Sequence, residues 1–363
     1  MSGRERRPVT IYEVAERAGV SIATVSRALR DSELVAAPTR RRVQRVAEEL
    51  RFRPSRAGRA LAEGQHAANG IVFPDLSGPY YAEVVLGYEE VVAELGRSVL
   101  ILATNGRQNA VDAVLELAGR VDGMTIMGRT VGDEVVARIA DSGLPLVLLA
   151  RPPVGLVDTV TADNERSARD LTAHLLGHGH RRLAFLGDPD QSPDVAGRYA
   201  GFRQALADGG HTAPAPTPCA FDVRSGYAAA TELLTRTKPD AVVCANDEVA
   251  LGALRAAEDL DLSVPGDVAL TGWDDIMAAD YARLTTVHQS MRELGATAAR
   301  WLDERIQGTA TEARREVLPT RLVVRASCGE HSDGAGAVWT DEHGGPVRGT
   351  SPGSPRAGGK TAS

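Results

Sequence analysis

Between Val9 and Leu50 apolar residues recur at three- and four-residue steps in three short bursts, the spacing of amphipathic helices. Thr10 stands where a helix would begin, and Glu13 three residues on completes a capping-box pattern. Val14, Ala15 and Ala18 then share one face. Gly19 supplies the backbone freedom of a tight turn, and Ser21 offers a hydroxyl to cap a second helix running through Leu29. That helix is expected to bury Val25 and Leu29 and to turn Ile22, Ala23 and Arg27 outward. Pro38 suits the first turn of a third helix, whose Val43, Val46, Ala47 and Leu50 fall at i, i+3, i+4 and i+7. Two helices joined by a short turn, with a third closing the core, form a helix-turn-helix unit.

From Asn69 the pattern changes. Apolar runs at 70–73, 98–103, 123–127 and 145–149 alternate with helical stretches, the rhythm of βαβ units. It restarts after Thr161 with runs at 182–186, 241–245 and 268–271. The expected architecture is an N-terminal all-α helix-turn-helix headpiece followed by a C-terminal α/β core of two parallel-sheet lobes. The stretch from Arg56 to Ala62 is shorter than the roughly 12–15 residues an isolated helix needs, and Gly58 weakens it further. It reads as a hinge helix that folds only when docked. The residue limits are 1–8 for an unstructured arm, 9–54 for the headpiece, 55–63 for the hinge, 69–328 for the two lobes and 329–363 for a tail. The tail is rich in Gly and Ser and lacks leucine, a composition expected to stay disordered.

Charge sharpens this division. Residues 1–62 carry 14 arginines against 7 acidic side chains, a local +7, while the remaining 27 basic and 41 acidic residues leave −14. The overall −7 hides a basic arm on an acidic body, which suits a polyanionic partner. The polar N-terminus and the lack of any 18-residue apolar run predict no signal peptide and no membrane span, hence a cytoplasmic location. Three widely spaced cysteines, Cys219, Cys244 and Cys328, fit reduced, buried thiols.

The ordered motif T-I-Y-E-V-A-x-x-A-G-V-S-x-x-T-V-S-R-x-L, continuing through R-A-L-A-E-G, resembles the lactose-repressor (LacI) family of bacterial transcriptional regulators. The resemblance implies a homodimeric repressor that binds an inverted-repeat, double-stranded DNA operator and is controlled by a small-molecule effector held between lobes similar to periplasmic sugar-binding proteins. By that resemblance Ile22 and Ala23 choose bases, and Arg27 meets base edges or backbone. Thr10, Tyr12, Ser21, Thr24, Ser26 and Thr39 touch phosphates, and Leu61 of the hinge wedges into the minor groove. Two positions depart from the family pattern: Arg30 replaces a usual asparagine, and Ala36 replaces the serine that caps the third helix. Crossovers between lobes are expected near 162–165, 287–292 and 318–322. The tail lacks the leucine heptad that joins two dimers in some relatives, so a dimer is expected. Val84, Val85, Tyr88, Val91, Val92 and Leu95, on the helix after Pro79, make it apolar enough for both core and subunit contact, and part of the dimer interface is expected there.

In open parallel sheets ligands sit beyond the carboxyl ends of strands. Asp75 and Tyr80 follow the first strand there, Asn246 follows A-V-V-C-A, and Asp274 follows V-A-L-T-G. The resemblance makes Arg198 the arginine that clamps a ligand hydroxyl or carboxylate and Phe221 the aromatic that stacks on a ring. Asn246, Asp274 and Gln289 complete the polar set. Each of these residues also has a structural reading: Asp274 and Asn246 as helix caps, Phe221 as core. Met127 and Ala150 give the first-lobe wall an apolar character. The combined chemistry favours a sugar, ahead of a nucleobase or an organic acid.

Other chemistries fail on spacing. His174, His178 and His180 cluster, but the cysteines are remote along the chain, so no metal site is expected. The Gly-His-Gly at 177–179 does not continue into a dinucleotide loop, and neither a G-x-S-x-G elbow nor a P-loop occurs. No cofactor and no catalytic residue is called for. The rival readings are an architectural DNA-bending protein that needs no effector, and a sugar-active enzyme carrying a DNA-binding arm.

Overall fold

The computed structural model describes residues 9–29, 34–52 and 66–329. The hinge at 55–63 with Leu61, the arm at 1–8, Arg30 and all but the first residue of the tail lie outside the described residues.

Three helices form the N-terminal unit: α1 (Ile11–Ala18), α2 (Ile22–Ala28) and α3 (Ala37–Glu49). The Glu13 carboxylate accepts the Thr10 backbone N–H at 2.6 Å and the Thr10 hydroxyl at 3.1 Å. Gly19 ends α1 with φ 63°, and the Ser21 hydroxyl accepts the Thr24 N–H at 3.2 Å to open α2. Val14, Val25 and Val43 are completely buried at the centre. Leu29 is only half-buried, and Ala28 takes the inner position expected of it, one residue earlier on the same helical face. Ala36 begins α3 without a side-chain cap, leaving Pro38 to set the first turn.

The body starts with β1 (Ala68–Phe73), α4 (Pro79–Glu94), β2 (Ser98–Ala103), α5 (Ala110–Ala118), β3 (Gly123–Met127), α6 (Asp133–Asp141), β4 (Leu146–Leu149) and β5 (Asp158–Ala162). The chain then crosses through α7 (Asn164–Gly177) to β6 (Leu183–Leu186), α8 (Pro193–Asp208), α9 (Val223–Thr237), β7 (Ala241–Cys244), α10 (Asp247–Asp259), β8 (Ala269–Thr271), α11 (Met277–Tyr281) and β9 (Thr286–Gln289). It returns in α12 (Met291–Ile306) and β10 (Arg315–Leu318), and ends in β11 (Thr320–Val323) and a 3-10 turn (Ala326–Cys328).

The first sheet has the order β10-β5-β4-β3-β1-β2 with every pairing parallel, and the second runs β6-β7-β8, also parallel. β11 pairs antiparallel with β9 beside the second sheet. Three segments therefore pass between the lobes, between β5 and α7, β9 and α12, and β10 and β11. The strands at 158–162, 286–289, 315–318 and 320–323 were not among the apolar runs, because their alternating Thr, His, Arg and Glu residues mask the pattern.

Both faces of each sheet are covered, which is why the strands read as continuous apolar runs. Ile71 and Phe73 point to the side of α4 and α12, whereas Val72 packs with Val114, Ile126 and Ile139 on the other side. In the second lobe Val243 faces Leu171 and Phe202, while Val242 faces Val249 and Ala253.

Helices α4 and α12 meet at backbone range. A Cβ placed on Gly87 would lie 2.0 Å from the Arg292 carbonyl oxygen, and one on Gly295 would lie 2.0 Å from that of Val84. Because backbone occupies both contacts, Gly87→Val should force the helices apart and lower stability by about 1–3 kcal/mol. Urea denaturation measures this, and an unchanged midpoint would show that the helices separate without cost.

Candidate functional site

Two surfaces carry the chemistry. On the headpiece, a 3.6-residue repeat places Ile22, Ala23, Ser26 and Arg27 on one arc of α2, opposite buried Val25 and Ala28. Ile22, Ala23 and Arg27 are exposed, as are Tyr12 and Ser21, while Thr10, Thr24, Ser26 and Thr39 are half-buried. The Ser21 hydroxyl also lies 2.9 Å from that of Thr24. Arg41, Arg42 and Arg45 are exposed on α3 and add positive charge to the unit.

In the body a cavity of about 530 Å³ draws its lining from both lobes. Asp75, Tyr80, Arg198, Phe221, Asn246 and Asp274 all line it, although they are spread over nearly 200 residues of chain. Gln289 does not. It lies behind the wall, where its Nε2 donates to Asp274 Oδ1 at 2.5 Å, so it orients a lining residue.

Arg198 is the centre of the second-lobe wall. It is 5 % exposed, its Nε donates to Asn164 Oδ1 at 2.8 Å and its Nη1 to the Ala245 carbonyl at 2.6 Å. Its Nη2 lies 4.0 Å from Asp274 Oδ1. The guanidinium stacks 4.4 Å from the Trp273 ring centre, which fixes its plane. Asn164 in turn donates to Asp194 at 2.9 Å, so the first residue of α7 links the arginine to a second carboxyl.

Asp274 holds φ 105°, a conformation costing of order 1–3 kcal/mol that persists only where surroundings impose it. Here the Asp274 N–H donates to the Val287 carbonyl at 2.9 Å, and Gln289 grips the carboxyl. Burial pushes the Asp274 carboxyl well above its ordinary range, against the opposing pull of Arg198. Burial also raises Asp194 and Glu248. Asp75 moves the other way, lowered first by the Asn105 amide, which donates to it at 3.0 Å. Asn246 both lines the cavity and caps α10, accepting the Val249 N–H at 3.0 Å. Phe221 is half-buried and touches the second-lobe core as well as the cavity. For both residues the structural role and the lining role hold together.

The first-lobe wall is more polar than Met127 and Ala150 alone imply. Those two do line the cavity, but Ser77, Asn105, Arg129 and Thr130 stand beside them. The hydroxyls of Tyr80 and Thr130 are buried and make no hydrogen bond among the described residues. Asp194, Tyr81 and Glu248 were not anticipated as lining residues. The Pro-Asp start of α8 and the Asn-Asp-Glu start of α10 were the available signals, since helix N-termini at strand ends face such clefts.

No helix among the described residues is long and apolar enough to cross a membrane. Two family models match the chain: bacterial regulatory proteins of the lacI family over residues 10–55, and a periplasmic binding protein-like domain over residues 172–328. The transcriptional regulator CelR of Thermobifida fusca is 36 % identical over 340 residues, covering 89 % of this chain and 99 % of the relative. Catabolite control protein A of Priestia megaterium is 32 % identical over 332 residues, covering 88 % and 99 %. Among solved structures, a lac repressor dimer bound to operator and an anti-inducer superposes with a TM-score of 0.80 at 30 % identity, covering 89 % of this chain and all of that one. These relatives are transcriptional regulators, not enzymes. With a helix-turn-helix headpiece, two parallel-sheet lobes around a lined cavity and these matches along most of its length, the chain belongs to the lacI family of bacterial regulatory proteins, as a DNA-binding transcriptional regulator with a periplasmic-binding-protein-like sensor core.

Proposed function

We propose that this regulator is a cytoplasmic, dimeric repressor whose effector is a neutral sugar of one or two rings. The observation that carries the sugar is the lining of the cavity: aromatic Tyr80, Tyr81 and Phe221 beside five carboxyls and two arginines, with two buried hydroxyls left to bond a guest. Sugars present apolar ring faces to aromatics and paired hydroxyls to carboxyls, asparagine and arginine. An organic acid would face Asp75 and Asp222, both held below the ordinary carboxyl range by hydrogen bonds, and these offset the pull of Arg129 and Arg198. The volume lies within the roughly 300–1,000 Å³ of small-molecule sites. A CelR–cellobiose complex, 33 % identical with a TM-score of 0.66, supports the same class.

In this reading residues 9–54 read the operator, 55–63 form the hinge that carries the Leu61 wedge, and 69–328 bind effector and pair with a second copy. Arm 1–8 and tail 329–363 flank them. Two headpieces meet the two halves of an inverted repeat, and closure of the lobes on the sugar changes the spacing of the hinges. A coupling of about 1–3 kcal/mol is enough for control. Phosphates are met by Thr10, Tyr12, Ser21, Thr24, Ser26 and Thr39, and bases by Ile22, Ala23 and Arg27.

The test is a thermal-shift screen of the full chain against monosaccharides, disaccharides, sugar phosphates, nucleobases and organic acids, followed by operator binding with each compound that shifts. A saturable shift with a neutral sugar that also changes operator affinity is expected. A shift from nucleobases or acids alone would overturn the sugar, and a sugar that binds without changing operator affinity would overturn the control. Arg27→Ala should weaken specific operator binding by about 1–3 kcal/mol and relax base preference at one position. Equal losses on specific and random DNA, measured by fluorescence anisotropy, would make Arg27 a phosphate contact only.

A further inference from the structure

Three side chains used by neither the DNA-reading face nor the cavity converge at the end of α7. His174 lies in its last turn and His178 is its C-cap residue. Cys328 closes the 3-10 turn that arrives there from 154 residues further along the chain. His174 Nε2 lies 3.4 Å from Cys328 Sγ, and one ligand atom from each of the three residues falls within 4.8 Å of the others. The four-residue spacing of the histidines puts both on one face of the helix, with ring centres 4.6 Å apart. Along the chain Cys328 is remote from both histidines. The fold removes that distance.

The geometry matches a specific chemistry. Zinc bonds of about 2.3 Å to sulfur and about 2.0–2.1 Å to nitrogen place two tetrahedral ligands roughly 3.5 Å apart, close to the observed nitrogen–sulfur separation. Two imidazoles and a thiol suit a borderline-soft ion such as zinc, whereas magnesium and calcium require oxygen donors. The cysteine is also held in place. His180 Nε2 lies 3.0 Å from the Cys328 carbonyl oxygen, and Thr285 Oγ1 lies 3.0 Å from Sγ. The neighbouring Ser327 hydroxyl accepts the Thr285 N–H at 2.8 Å and donates to the Leu270 carbonyl at 2.6 Å. Such outer contacts orient ligands at metal sites. Gly329, at φ 134°, leaves room beside the ring: a Cβ there would lie 3.0 Å from His178 Nδ1.

We propose that His174, His178 and Cys328 bind one zinc ion, with water in the fourth position. On binding, the Cys328 thiol gives its proton to solvent and its sulfur bonds the metal, so affinity falls as pH is lowered. The ion ties the last turn of the body to α7 and so fastens the end of the second lobe.

The test uses the full-length chain, stripped with a chelator and titrated with zinc and, as a spectroscopic probe, cobalt(II). The expected result is one equivalent bound, a near-ultraviolet thiolate-to-cobalt charge-transfer band, and a raised melting temperature that chelator reverses. Cys328→Ser should abolish the band and Cys219→Ser should keep it. Since Cys328 is buried and its serine variant is at risk of misfolding, His178→Gln at a half-buried position gives an independent reading, with zinc affinity falling about tenfold or more. Cobalt bound without the thiolate band, a band that survives Cys328→Ser, affinity unchanged in His178→Gln, or no metal uptake by the folded chain would each overturn the site.

Discussion

Arg198→Ala is expected to lower effector affinity about thirty-fold or more while leaving a folded, dimeric protein that still binds operator. The guanidinium joins three other groups of the second-lobe wall: Asn164 at 2.8 Å, the Ala245 carbonyl at 2.6 Å and Asp274 at 4.0 Å. Hydrogen bonds from a charged donor contribute about 1.5–3 kcal/mol each, and a ligand hydroxyl facing Arg198 would lose at least one. The variant also strands two buried acceptors, at about 1–3 kcal/mol apiece, so a lower melting temperature without ligand is part of the expectation. Lysine should not restore binding, because an ammonium lacks the planar fork that stacks on Trp273. Titration calorimetry with the sugar found by screening decides the matter, and wild-type affinity in Arg198→Ala would remove this residue from the site.

Asp158→Ala should produce the largest loss of stability in the first lobe, about 3–5 kcal/mol. Asp158 is completely buried at the start of β5. Its oxygens accept from Arg305 Nη2 at 2.6 Å and Nε at 2.9 Å, and from the Arg314 backbone N–H at 2.7 Å and Nη2 at 2.8 Å. One carboxylate thus ties β5 to the end of α12 and the entry to β10. Truncation leaves Arg305 without its counter-ion and Arg314 with Glu304 alone, against a total stability of about 5–15 kcal/mol for a typical domain. Burial alone would raise this carboxyl, but the hydrogen bonds from Arg305 and Arg314 outweigh it and hold it below the ordinary range. A carboxyl lowered by folding stabilises above its unfolded value and loses that contribution as pH falls through its folded value. The gap between wild type and variant in urea midpoint should therefore persist from neutral pH to about pH 4 and narrow below it. A gap that is small at pH 7, or that does not narrow in acid, would show that the arginines find other partners.

Much of the architecture was legible because it is written locally. The headpiece depends on contacts within one turn: Thr10 with Glu13, Gly19 at positive φ, Ser21 with Thr24. A departure was legible in the same way, since Ala36 has no oxygen to cap α3. The βαβ rhythm was equally plain where strands are covered on both faces. It failed at β5, β9, β10 and β11, whose polar residues alternate with apolar ones near a sheet edge or a lobe crossing, and whose place depends on partners far along the chain.

For the site, residue type and strand ends were enough to nominate Asp75, Tyr80, Arg198, Phe221, Asn246 and Asp274, all of which line one cavity. They could not say that Gln289 stands behind Asp274, that Asp194 and Glu248 face the same space, or that His174 and His178 meet Cys328. The sequence by itself determined the helix starts, the turn, the alternation of strand and helix and the charge division between arm and body, because each is decided by interactions within a few residues. Tertiary structure alone decided which carboxyls are buried, which hydroxyls are left to meet a ligand, and which sulfur reaches which imidazole. Those are properties of side chains brought together across three crossings of the chain, where burial and distance, not local preference, set the chemistry.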